Sequence, residues 1–138
     1  MTQTVLPTRA VDNWEGVRDE WVASVEQLVG DAEVWAQKHD WAVRREAKTI
    51  REDRLGQYTV PRLLIHATAG RLLLDPVARY VPGAMGVVDL YVLPSYDAVM
   101  ISRADDGWRL HPIGADDVRQ PWSEEAFVHI ALQLLATA

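Results

Sequence analysis

Asp89 is the residue that most needs a reason. It interrupts Gly86-Val87-Val88-Asp89-Leu90-Tyr91-Val92, a run of strand-forming apolar residues, where a carboxylate is costly unless it is paired or wet. Side chains two apart share one face of a strand, so Tyr91 belongs beside it. In the preceding segments, Arg62, Leu64 and His66 have one parity, and so do Asp75, Val77 and Arg79. If these faces coincide, Asp89, Arg79, His66, Asp75 and Tyr91 form a polar cluster on the sheet. Such a set has the parts of a ligand pocket or an acid/base site, with Asp89 as the anion and Arg79 orienting the ligand. The same residues also suit a plain Asp–Arg pair on a wet sheet face. Either pairing makes Asp89→Asn strand an arginine, so its expected cost exceeds the ~0.5 kcal/mol of an ordinary surface change.

Other chemistry has less support. Glu46-Ala47-Lys48 matches the E-x-K triplet of some metal-dependent nucleases. Those sites need an aspartate on a preceding strand, whereas Asp40 follows a helical pattern, so a solvated strand edge is the simpler reading. His39, His66, His111 and His129 contain no i, i+4 pair. A zinc site would have to assemble in space from His66, His111 and Asp75, and isolated histidines are more often structural. The chain has neither a glycine-rich phosphate loop nor a G-x-S-x-G elbow. Cysteine is absent, which excludes disulfides, thiolate metal sites and a catalytic thiol. No metal and no cofactor is expected.

The elements that would position Asp89 are legible in outline. Trp14, Trp21, Leu28 and Trp35 recur seven apart, with Val17, Val22, Val25, Val29 and Ala32 between them. That is a wide apolar stripe on one long helix. Asp12 is placed to cap it, with Glu15 three residues on. Gly16 and Gly30 each cost up to ~1 kcal/mol inside a helix, and Gly30 allows a break. Residues 41–50 read as a short strand, with helix continuation as the alternative. From Gln57 to His111 the chain is rich in strand formers. Pro61 suggests an edge or an early strand position, and Pro82-Gly83 and Pro94-Ser95 are breaks. Asp106-Gly107 predicts a two-residue hairpin pairing Asp105 with Trp108 and Arg103 with Leu110. Residues 112–121 read as a loop. Ser123 then caps a final helix, with Glu124 and Glu125 in its first turn and Trp122 and Phe127 as a hydrophobic staple. Ile130, Ala131, Leu134 and Leu135 form its buried stripe; Glu125, His129 and Gln133 form its wet face.

The connections are too short for parallel crossovers. The prediction is therefore an α+β fold: an N-terminal amphipathic helix, a mostly antiparallel sheet of four to six strands, and a C-terminal helix on one sheet face. The 138 residues suit a single domain over 1–138, with 1–10 as an extended lead-in.

Apolar residues are 49% and charged residues 25%, which excludes disorder for the bulk of the chain. Net charge is −6 at pH 7, so non-specific binding to nucleic acid or an anionic membrane is disfavoured. MTQTVLPTRA lacks a basic segment leading into an apolar one, so no signal peptide is expected. No apolar stretch is long enough to span a bilayer, and a soluble cytoplasmic protein is expected.

These readings favour a non-catalytic binding or adaptor protein with a protein partner or self-association. The alternative is a small-molecule-binding protein or small enzyme using the face around Asp89. Trp14, Trp21 and Trp35 are most simply core. A face this aromatic also suits a homodimer or partner interface.

Overall fold

The computed structural model describes residues 13–111 and 118–138. Helix α1 (Trp14–Lys38) leads into strands β1 (Ala42–Glu52), β2 (Gly56–Ala67), β3 (Gly70–Ala78), β4 (Val87–Leu93), β5 (Ala98–Ala104), β6 (Gly107–Leu110) and β7 (Gln120–Pro121). Helix α2 (Glu124–Leu135) follows. The seven strands form one antiparallel sheet in chain order. The expected α+β order holds, with one more strand than the six allowed. Among the described residues, no helix is long and apolar enough to cross a membrane. The extended lead-in over 1–10 and the Asp12 cap lie outside the described residues.

Asn13 caps α1, its Oδ1 accepting from the Gly16 N–H at 3.1 Å. Trp21, Val25, Leu28, Val29, Ala32 and Ala36 are its buried stripe, at the three-and-four spacing of a helix packed on one side. Gly30 does not break it. The helix runs unbroken for 25 residues, because Val29 and Ala32 anchor both sides of the glycine in the core and offset its weak propensity. In α2, Ser123 Oγ accepts from the Ala126 N–H at 3.1 Å, and Trp122 meets Phe127 edge-on at 5.5 Å. Its buried stripe is the expected Ile130, Ala131, Leu134 and Leu135, joined by Phe127. Both helices feed one hydrophobic cluster with Leu63, Ile65, Leu72, Leu74, Leu90 and Val92. They cover one face of the sheet and leave the other open.

Residues 42–52 are a full strand, not a helix continuation, and pair with β2 along their whole length. The β2–β3 ladder is shorter and ends at Leu63↔Leu74. Continued two residues, that register would set Pro61 against Pro76, and neither has an N–H to donate. Beyond that point β1 and β2 form a two-stranded ribbon, which twists more than a wide sheet does. The buried parity changes accordingly, from Leu63 and Ile65 to Tyr58 and Val60.

The twist carries Tyr58 onto Trp21, whose Nε1–H donates to the Tyr58 hydroxyl at 3.1 Å. Tyr58 in turn donates to Glu52. The Glu52 carboxylate also accepts the N–H groups of Arg79 and Tyr80, each at 3.0 Å. Burial, then the Glu52 hydrogen bond, push the Tyr58 phenol well above its ordinary range. On its other side Trp21 meets Trp108 at 5.7 Å, and Gly86 lets the backbone reach the indole.

The hairpin after β5 differs in register from the expected one. Ala104 pairs with Gly107 and Arg103 with Trp108, so Asp105 and Asp106 are the turn. Gly107 takes the positive φ of 130°. A two-residue turn on Asp106-Gly107 needs two positive φ values, whereas the observed one places only glycine there. At the end of the segment read as a loop, Gln120 and Pro121 add a short edge strand. Pro121 is tolerated there because an edge leaves its ring side unpaired.

A Cβ at Gly86 would lie 2.1 Å from Trp21 Cζ3, at a backbone φ of 136°. Gly83 also has a positive φ, 80°, but nothing lies within 4 Å. Gly86→Ala should therefore cost ~3 kcal/mol through overpacking and strain, and Gly83→Ala ~1 kcal/mol. Chemical denaturation of both variants checks this; equal losses would mean that Trp21 does not press on Gly86.

Candidate functional site

The open sheet face collects the polar groups. Asp75 and Asp89 stand directly opposite each other on β3 and β4. The Tyr91 hydroxyl donates to Asp75 Oδ2 at 2.8 Å. Lys48 donates to Asp75 Oδ1 at 2.8 Å and to the Pro76 carbonyl at 2.7 Å. By register, the donor for that carbonyl would be the N–H that Pro61 lacks, so the lysine closes a seam the two prolines leave open. Asp75 is only 9% exposed, and its two oxygens are both satisfied, as a buried carboxylate requires. Beside it, Glu46 joins Arg62 at 2.8 Å and Arg44 at 2.8 Å.

Asp89 has a different position. It is half-buried and faces Asp75 and Met100 across its two neighbouring strands. Like charges directly opposite in a sheet repel. Burial, then the Asp75 charge, raise its carboxyl pKa above the ordinary 3.8, with Lys48 opposing. Burial and the hydrogen bond to Asp75 push the Tyr91 phenol up to about 12. Tyr91 meets Tyr96 at 6.1 Å, and Tyr96 and Met100 are 68% and 41% exposed. The result is a carboxylate with aromatic and thioether surface around it.

Of the five residues picked from sequence, Asp75, Asp89 and Tyr91 come together. Arg79 does not join them. The register shifts between Pro76 and Ala78, and Arg79 lies in the bend beyond, over the Tyr80 ring at 5.0 Å. Its buried Nε has no hydrogen-bond partner. His66 shares the open face but pairs with Arg71, four residues along β2 from Arg62, or ~13 Å. Parity alone places Arg62 on the face, and Glu46 and Lys48 stand out in the sequence only as part of an E-x-K triplet. The signal that joins the β1 residues to this cluster is the alternation Arg44, Glu46, Lys48, which places those three on one strand face.

The tryptophans proposed for an interface are engaged within the chain. Trp21 is fully buried. Trp35 packs on Trp122 at 5.1 Å and on Phe127 at 5.9 Å. Trp14 meets Tyr80 at 6.2 Å and lies under Arg54.

Among the described residues, no three His, Asp or Glu side chains converge as a metal site. Ser102 Oγ lies 2.8 Å from His111 Nε2, half of a nucleophile–base arrangement. Ser102 is only 6% exposed, however, so its hydroxyl is shut off from substrate and serves to satisfy the ring. The principal clefts among the described residues are lined by residues other than Asp89. Protein-family models, curated proteins and solved structures were compared with the chain, and none of them matches it.

The placement of Asp89 reverses the sign expected from sequence. With no arginine to strand, and with Asp75 opposite, Asp89→Asn should stabilise the fold by ~0.5 kcal/mol at pH 7, the scale of one cross-strand pair. A carboxyl whose folded pKa is raised disfavours the fold once ionised, so the gain is full at neutral pH. It should fade as pH falls through the raised value and vanish below about 3.8. Lys48→Met should instead cost ~2 kcal/mol, because it leaves the Asp75 carboxylate and the Pro76 carbonyl unsatisfied. Urea titrations at pH 7 and pH 3 measure both, and a destabilising Asp89→Asn at pH 7 would show that a cation does pair with it.

Proposed function

We propose that this chain is a non-catalytic binding protein whose open sheet face receives a protein partner carrying a basic side chain. One observation carries the reading: among the described residues Asp89 is a half-buried carboxylate with no cation in hydrogen-bond contact, opposite Met100 and on the same strand face as Tyr91, with Tyr96 beyond Tyr91. A lysine or arginine brought against it would gain a charge-assisted hydrogen bond in a partly desolvated setting. The tyrosines and methionine would supply the apolar contact that such anchors use at protein interfaces. Two neighbouring ion pairs on the face are already matched, Lys48 with Asp75 and Arg62 with Glu46, so they add specificity more than affinity. The net charge of −6 favours a basic partner over a second copy of the chain. The principal clefts among the described residues have linings that leave Asp89 out, which supports binding over catalysis, since substrates are usually held in concave sites.

Selection from a displayed random-peptide library tests this. Enriched peptides should carry Lys or Arg at a fixed position and bind Asp89→Asn at least tenfold more weakly, with unchanged binding to a variant on the helix side, Val34→Ala. Peptides without a basic residue, equal binding to Asp89→Asn, or no enrichment would contradict the reading.

A further inference from the structure

A second surface, independent of the open face, has the features of a small-ligand site. Between α1 and the β5–β6 hairpin lies a cleft of about 470 Å³. Ser24, Gln27, Leu28 and Asp31 form one wall, at the spacing of a single helix face. Residues 103–109 form the opposite wall, and Pro121 and Trp122 complete the lining. Its volume is within the range of small-molecule sites.

The aromatic walls are held from behind. Trp108 packs on Trp21 at 5.7 Å. Trp122 packs on Trp35 and Phe127 and donates from Nε1 to Asp31 Oδ2 at 3.1 Å. Two indoles fixed by the core therefore border the cleft, an arrangement that need not be ordered again when a ligand enters.

Charge selects the ligand. Both guanidiniums lining the cleft are already neutralised, Arg103 by Glu20 and Arg109 by Asp106. Asp31 and Asp105 also line it, and neither has an ion-pair partner among the described residues. An anionic ligand would meet two unpaired carboxylates and no free cation. An organic cation would meet carboxylates and indole surface together, the combination that recognises alkylated ammonium groups. A bare metal ion would leave the indoles unused. We propose that this cleft binds a small alkylammonium compound, with Asp31 and Asp105 supplying the charge and Trp108 and Trp122 the aromatic surface. Gln27 also lines the cleft and can hydrogen-bond a polar group on the ligand tail, whereas Ser24 Oγ donates to the Glu20 carbonyl at 2.9 Å and is left only to accept.

Choline and its neutral isostere 3,3-dimethyl-1-butanol are the probes, titrated into the whole chain by calorimetry and tryptophan fluorescence. Choline should bind saturably and change the emission, and the neutral isostere should not. Binding should weaken at high salt. Asp31→Asn keeps an oxygen to accept from Trp122 while removing the charge, and should weaken choline at least tenfold. Asp105→Asn, on an exposed turn, should weaken it also and covers the case in which the helix variant does not fold. Absence of saturable binding, equal binding of the isostere, or an undiminished affinity in both variants would overturn the proposal.

Discussion

Two prolines with no N–H to donate set the shape of this sheet. The β2–β3 ladder stops at Leu63↔Leu74, two residues short of where its register would set Pro61 against Pro76, neither of which can donate. The β1–β2 hairpin then twists free of its neighbour. One consequence is inside the molecule: Tyr58 reaches Trp21, and through Glu52 it holds the backbone of Arg79 and Tyr80. The other is outside: Lys48 enters the seam and supplies the missing donor to the Pro76 carbonyl. A buried tryptophan and a part-buried ion pair thus share one cause.

The same seam divides the work of two carboxylates. Asp75 is consumed by Lys48 and Tyr91. Asp89, opposite it, receives the repulsion, opposed only through space by Lys48, and has no cation in hydrogen-bond contact among the described residues. Both helices are committed to the other face, so neither of them covers Asp89, Tyr91 and Met100. A site whose charge is costly in the free protein and is relieved by a cation is suited to recognition, and that links the fold to the proposed function.

Local signals in the sequence translated well where one element decides the outcome. The heptad spacing of Trp14, Trp21, Leu28 and Trp35 located α1 and its buried side, and Ser123 located the start of α2. Pairings across strands were harder, since a shift of one residue exchanges every neighbour. Asp106-Gly107 announced a hairpin, but the single glycine moved the turn back to Asp105-Asp106. Parity placed Asp75, Asp89 and Tyr91 on one face and then failed at Arg79, because an irregularity between Pro76 and Ala78 breaks the alternation. Lys48 was out of reach for a different reason. Its role follows from two prolines 15 residues apart that meet only in the folded register, and Pro61 by itself suggested just an edge.

The most direct test of the account is the titration of the Asp89 carboxyl carbon by NMR, in the native chain and in Asp75→Asn. The account predicts a midpoint above the ordinary 3.8 in the native chain, moving down when the opposing charge is removed. A native midpoint at or below 3.8 would contradict it, since that value requires a cation or several donors already bound to Asp89, and the open face would then have no unpaired charge to offer a partner.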